Sequence, residues 1–171
     1  MTTGTKTAAL TVEPRIEVGL KSEAVTTVDL DWPADCGGEV CFLGRTRQEI
    51  HPEHGELKRL EYEVYEPMAQ KLMEDMARHA SSRFGCRVVR LVHAQGPVEP
   101  GQASVVIQVA GPHRSEAFAA CRYLIDRLKH ELPIWKREIW AQGQTFVEGC
   151  CAQGGDADPT LHAAPDTMDS T

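Results

Sequence analysis

The spacing of apolar residues changes period several times between positions 59 and 147, and this order of periods limits the fold more than any single motif. Residues 59–64 alternate strictly, with Leu60, Tyr62 and Val64 on one side and Arg59, Glu61 and Glu63 on the other, as expected of a strand with one buried face. From 68 to 84 the apolar residues fall at 68, 72, 73, 76, 77, 80 and 84. That is the stripe of an amphipathic helix, and Gly85 supplies its stop. Residues 87–94 and 103–110 are mostly apolar and rich in valine; they read as two strands joined as a hairpin through the Gly96-to-Gly101 connection. A second helix follows Gly111-Pro112. Its expected buried stripe is Ala117, Phe118, Cys121, Leu124, Ile125 and Leu128, and Pro133 ends it. Residues 39–43 form an earlier strand ending at Gly44, and 134–140 and 145–148 close the body as short strands around a Gly143 turn. The order predicts an α+β domain with two main helices packed on a mostly antiparallel sheet.

At 171 residues the chain holds one domain, read here as 15–151, with enough core to stand without staples. Residues 1–14 read as flexible. Residues 154–171 carry four Asp, no Lys or Arg and two Pro, so 152–171 is read as a disordered acidic tail. The 48–56 stretch, polar with Pro and Gly, predicts a flexible loop, and 15–30 fits either one or two short strands or a short helix. A net charge of −7 argues against a general nucleic-acid or membrane-surface binder. No eighteen-residue apolar run and no secretory leader are visible, so the expected location is the cytoplasm. The six cysteines then read as free thiols, mostly buried. Cys36, Cys41, His51 and His54 give C-x4-C-x9-H-x2-H, which is off the usual zinc spacings, and neither a metal nor a cofactor is expected. Cys150-Cys151 has no adjacent cation to activate it.

Three cationic features stand out. Gly111-Pro-His-Arg-Ser115 lies where a strand ends and a helix begins, so free backbone N–H groups, the positive end of the dipole, His113 and Arg114 share one spot suited to phosphate. A helix cap with a solvated Arg114 explains the same residues locally. Residues 113–140 carry six Lys or Arg against four acids, a reversal of sign in an acidic chain. Within it Lys129 stands in the last helical turn and Lys136 just past Pro133, beside Trp135. Two ammonium groups brought close disfavour each other's protonation, which a nucleophilic or proton-shuttling lysine requires. The alternative is that they merely complement the helix dipole. Finally, Gly44-Arg45-Thr46-Arg47 sets two cations after a strand.

Phe42-Leu-Gly-Arg-Thr-Arg47, Leu60-Glu-Tyr-Glu-Val-Tyr-Glu-Pro-Met68, Gly111-Pro-His-Arg-Ser-Glu-Ala-Phe118 and Leu128-Lys-His-Glu-Leu-Pro-Ile-Trp-Lys-Arg-Glu138 together resemble the molybdopterin synthase catalytic (large) subunit family. Four blocks in the right order span about 37–147. The resemblance implies an α/β-hammerhead type of fold. It also implies a homodimer joined by two small ubiquitin-like sulfur-carrier subunits in a 2+2 heterotetramer. The implied reaction moves sulfur from the carrier's C-terminal thiocarboxylate to cyclic pyranopterin monophosphate, forming the dithiolene of molybdopterin. Carried over by position, Lys129 and Lys136 are the expected catalytic pair. His113 and Arg114 would hold the substrate phosphate or pterin, with Arg45, Thr46 and Arg47 opposite and Arg137 and Glu138 extending the same wall, all around one water-poor hollow. The alternatives are a non-catalytic homologue that docks a ubiquitin-like partner, a persulfide sulfurtransferase using Cys150 or Cys151, and a metal-binding regulator.

Overall fold

The structure, a computed structural model, describes residues 13–147. The expectations for 1–12, for 152–171 and for Cys150 and Cys151 lie outside the described residues. In chain order the elements are β1 (Arg15–Lys21), β2 (Gly38–Arg45), β3 (Ile50–His51), β4 (Gly55–Val64), α1 (Glu66–Phe84), β5 (Val88–Ala94), β6 (Gly96–Val98), β7 (Ala103–Gly111), α2 (Arg114–Glu131), β8 (Ile134–Trp140) and β9 (Gly143–Val147).

One sheet has the order β1-β5-β7-β2, in which only the β1–β5 pair is parallel. Every residue of β5 and β7 is buried. These two strands lack alternation because both of their faces are covered. Helices α1 and α2 pack on each other, α1 lies on β1 and β5, and α2 lies on β2 and β7. The 22–30 segment, left open by its weak pattern, straps across the sheet after β1. Gln108 donates to the Val28 carbonyl and accepts from the Val28 N–H, while buried Arg90 reaches the Thr26 carbonyl, Gln108 and Glu17.

The second sheet runs β3-β4-β8-β9, and β6 pairs with β4. Two expectations change here. The Gly96-to-Gly101 connection is more than a hairpin loop, because β6 leaves the first sheet to pair Leu60 with Val98 and Tyr62 with Gly96. Gly96 permits this: its φ is +107°, and a Cβ there would meet the Ser22 carbonyl oxygen at 2.8 Å, so no other residue fits without movement. The 48–56 stretch is a tight hairpin instead of a loose loop. Gly55 takes φ +75°, the Glu53 N–H donates to His51 Nδ1, and His51 and His54 stack with centroids 4.5 Å apart. Buried Leu57 draws the strand back to Gly55.

Both helices are where their periodicity places them, rotated slightly from the predicted faces. Helix α1 buries Ala69, Met73, Met76, Ala77 and Ala80 and leaves Met68 exposed. Helix α2 buries Ala120 along with the expected residues and leaves Phe118 63% exposed. Met68 and Phe118 lie about 100° around their helices from the buried Ala69 and Ala117, so the buried faces are turned toward the smaller residues. The left-handed Gly85 caps α1 as expected, at φ +66°. Of the described cysteines, Cys86 and Cys121 are buried, Cys36 is partly covered and Cys41 is exposed. Cys41 sits at an outward position of edge strand β2, correcting its expected burial.

Leu124 is wholly buried between the layers. Leu124→Ala should lower unfolding free energy by about 3 kcal/mol through lost transfer energy and a residual cavity, read as a shift of the urea midpoint at constant m-value. His93 is 5% exposed, its Nδ1 donates to the Ala94 carbonyl at 2.7 Å, and its ring meets Tyr62 edge-on. Burial pulls its pKa from 6.5 down to about 4. The unfolded chain therefore takes up a proton near pH 6.5 that the folded chain refuses until about pH 4. Stability should fall by up to about 1.4 kcal/mol per pH unit as pH drops through that window. His93→Phe should remove this slope between pH 6.5 and 5 in denaturant titrations.

Candidate functional site

Helix α2 starts where β7 ends and packs back along β7 and β2, so its two ends lie at opposite ends of the first sheet. The N-terminal end is held by close backbone approach. Gly37 donates to the Gly111 and Pro112 carbonyls, and a Cβ on Gly38 would lie 2.8 Å from the Arg114 nitrogen. The glycine pair at the entry of β2 thus sets where His113 and Arg114 stand. His113 is the N-cap in extended conformation, with no side-chain capping hydrogen bond, and Ser115 spends its hydroxyl on Glu116. The local explanation by capping therefore does not hold, and the exposed imidazole and guanidinium are left at the positive end of the helix. Arg114 makes no ion pair among the described residues. Two basic groups at that end oppose the dipole, and an anion seated between them would relieve the opposition.

At the other end, Arg45, Thr46 and Arg47 leave β2 opposite the start of β7. Arg45 pairs in register with Ala103 and donates from its guanidinium to the Gly101 carbonyl at 2.8 Å. Thr46 exchanges backbone hydrogen bonds with Gly101 and Gln102. It is only 4% exposed, and its Oγ1 has no partner. Arg47 is exposed and reaches Glu49 at 3.0 Å. Lys129, exposed in the last turn of α2, stands at this same end. Arg114 and Lys129 are separated by about 23 Å of helix. Within one chain, therefore, helix length keeps the His113 imidazole and Arg114 away from Lys129, and the expected shared hollow is not formed by one protomer alone.

Lys136 follows Lys129 across a sharp corner, where the Ile134 N–H donates to the Leu132 carbonyl and Pro133 bars further helix. Lys136, Glu138 and Trp140 share the face of β8 that meets Leu60 and Tyr62 of β4. Lys136 Nζ lies 3.3 Å from Glu138 Oε1, with their side chains 24% and 19% exposed. Thr145, directly opposite Glu138 on β9, donates to Glu138 Oε2 at 3.0 Å and accepts from the Trp140 indole N–H at 2.8 Å. Arg137 does not extend the wall formed by Glu138. Strand alternation turns it to the opposite face, where it pairs with Glu61 and Glu63 and lies over Phe146. Other cations of the 113–140 stretch are paired along the helix, Arg122 with Asp126 and Arg127 with Glu131 and Tyr123. Reading the sequence for charge passes over Thr145 and Trp140. Counting register out from the Gly143 turn would have found them.

His51 and His54 stack at the β3–β4 turn of the second sheet, whereas Cys41 belongs to the first. No group of three or more His, Cys, Asp or Glu residues converges among the described residues. Among those residues no helix is long and apolar enough to cross a membrane.

Known proteins resemble this geometry and sequence. A family profile described as "MoaE protein" matches residues 17–131. The molybdopterin synthase catalytic subunit of Nostoc is 49% identical over 100 residues, which cover 56% of this chain and 60% of that protein. The protein of the same name from Staphylococcus carnosus is 39% identical over 65% of this chain and 73% of its own length. The counterpart from Arabidopsis thaliana is 34% identical over 78% and 66%. The crystal structure of molybdopterin synthase from Staphylococcus aureus superposes with a TM-score of 0.66 at 30% identity, over 75% of this chain and 95% of that one. A complex of subunits 1 and 2 of molybdopterin-converting factor from Helicobacter pylori shares the fold, with a TM-score of 0.62 at 20% identity over 77% and 90%. With the profile match covering most of the chain and the expected α+β architecture present, the chain belongs to the MoaE protein family.

Proposed function

We propose that this chain is the catalytic subunit of a molybdopterin synthase, taking sulfur from the C-terminal thiocarboxylate of a small ubiquitin-like carrier and placing it on cyclic pyranopterin monophosphate. Two such transfers make the dithiolene. The observation that carries the reading is the pair Lys129 and Lys136, set on either side of the Pro133 corner, in a chain whose relatives bear the enzyme's name. A thiocarboxylate and a cyclic phosphate are both anions, and each needs fixed cations where water is scarce. Lys129 acts on the acyl or pterin intermediate as nucleophile or acid–base. Lys136, ion-paired with Glu138, stabilises developing negative charge. Arg45, Thr46 and Arg47 line the same end and bind substrate.

His113 and Arg114 supply the second anion site. Their distance from Lys129 along α2 leads us to assign them to the active site of a second copy of this chain, each site combining the lysine end of one protomer with the helix N-terminus of the other. A twofold dimer makes two such composite sites, and one carrier on each gives the 2+2 assembly. The reaction belongs in the cytoplasm.

The decisive assay combines the chain with thiocarboxylated carrier and cyclic pyranopterin monophosphate and looks for molybdopterin; a carrier bound with no dithiolene formed would identify a docking homologue instead. Lys129→Ala should abolish product while carrier affinity stays within about twofold, since one lysine contributes little to an interface of ordinary size; normal turnover would refute its role. Mixing Lys129→Ala with His113→Ala chains, each inactive alone, should restore about a quarter of wild-type activity, because random twofold pairing leaves one site in four intact. No recovery after confirmed subunit exchange would refute the composite site.

A further inference from the structure

Glu138 has a defined pair of duties in the second sheet, and two residues with no assigned role hold it to them. The indole N–H of Trp140 can only donate. It donates to Thr145 Oγ1 at 2.8 Å, which directs the hydroxyl proton of Thr145 toward Glu138 Oε2 at 3.0 Å. The other carboxylate oxygen, Oε1, is left to face Lys136 Nζ at 3.3 Å. The hydrogen bonds therefore run in one direction, from indole to hydroxyl to carboxylate, and the carboxylate's other oxygen forms an ion pair with the ammonium. The hydroxyl and the ammonium thus face different oxygens of the one carboxylate. The scaffold is rigid: Glu138 and Thr145 are directly paired across β8 and β9, Trp140 closes the register opposite Gly143, and the indole is buried. The residues paired with this face, Leu57, Leu60 and Tyr62 of β4 and Val147 of β9, bring it no further cation among the described residues.

We propose that Trp140 and Thr145 are positioning residues for Lys136, acting through the Glu138 carboxylate. The hydroxyl fixes the carboxylate's rotation, and the carboxylate fixes the ammonium where the transferring sulfur and phosphate need a positive charge. A lysine on a four-carbon stem has many rotamers, and without this tether its charge spends little time in the reactive geometry. The inference rests on the reading of Lys136 as catalytic.

The test uses the full chain with Thr145→Val, Thr145→Ser and Trp140→Phe. Valine keeps the volume and removes the hydroxyl. In the assay with thiocarboxylated carrier and cyclic pyranopterin monophosphate, Thr145→Val should lower kcat about tenfold, the effect of losing one hydrogen bond to a charged group. KM for both substrates should hold within about twofold, and Thr145→Ser should restore the rate. Trp140→Phe should give a smaller loss of the same kind, and it carries the test should the valine variant fail to fold. A second readout needs no turnover. Reductive methylation of Lys136, followed by peptide mass spectrometry, should quicken by about threefold in Thr145→Val as the tether loosens, with exposed Lys58 unchanged as the internal control. Wild-type kcat and wild-type Lys136 labelling in Thr145→Val, or a loss confined to KM, would overturn the proposal. Wild-type protein that makes no molybdopterin would instead defeat the functional reading, while the labelling comparison still decides whether Thr145 holds Lys136.

Discussion

Burial of β7 on both faces is the constraint from which the rest of the molecule follows. Its nine residues are all covered, with β5 and β2 hydrogen-bonded along its two edges and α2 packed against it. A strand with no solvated side must have a layer above and below, which is why α2 folds straight back after Pro112 and why the 22–30 strap is tied down by Gln108 from the opposite face. Once β7 is placed, its C-terminal end sets the helix N-terminus carrying His113 and Arg114. Its N-terminal end, next to Arg45 and the Gly101 turn, sets where Lys129 must emerge. The two cationic regions are separated because a helix of this length spans the sheet that supports it.

Charge is handled differently on the two faces of the second sheet. On the outer face of the second sheet, Arg59 and Arg137 are matched by Glu61 and Glu63. The Arg137–Glu61 pair is mostly covered, whereas Glu63 and Arg59 are more exposed, so the outer members of the cluster contribute little stability. On the inner face a single ammonium and a single carboxylate sit half-covered among Leu60, Tyr62 and Trp140. There a hydrogen bond more or less changes where a charge resides, and Thr145 matters for that reason. At the far end of α2 no acid among the described residues pairs with Arg114, so the positive end of the helix and its first guanidinium face outward together.

Much of the architecture was legible because period is a local property. The alternation at Leu60, Tyr62 and Val64, the helical stripe from Met73 to Ala80, Gly85 as a stop and the Gly143 turn all stand as read. The misreadings have one origin. Hydrophobicity alone puts Met68 and Phe118 on the buried helix faces, whereas the packed helices bury Ala69, Ala117 and Ala120 and leave the two larger residues out. The 48–56 stretch looked loose because it is polar, yet the left-handed Gly55 and the His51 ring make a defined turn of it. Arg137 and Glu138 are neighbours in sequence and so were placed on one wall, although a strand sends consecutive side chains to opposite faces.

The sequence by itself determined the element types, their order, the α+β class and the cationic residues of the family resemblance, because each depends on side-chain chemistry and spacing within a few residues. Only the tertiary structure decided which of those residues share a space. The separation of His113 and Arg114 from Lys129, the transfer of β6 to the second sheet and the alignment of Trp140, Thr145, Glu138 and Lys136 all depend on strand register and on a helix spanning its sheet. Those are relations between segments far apart in the chain, and no local pattern of residues carries them.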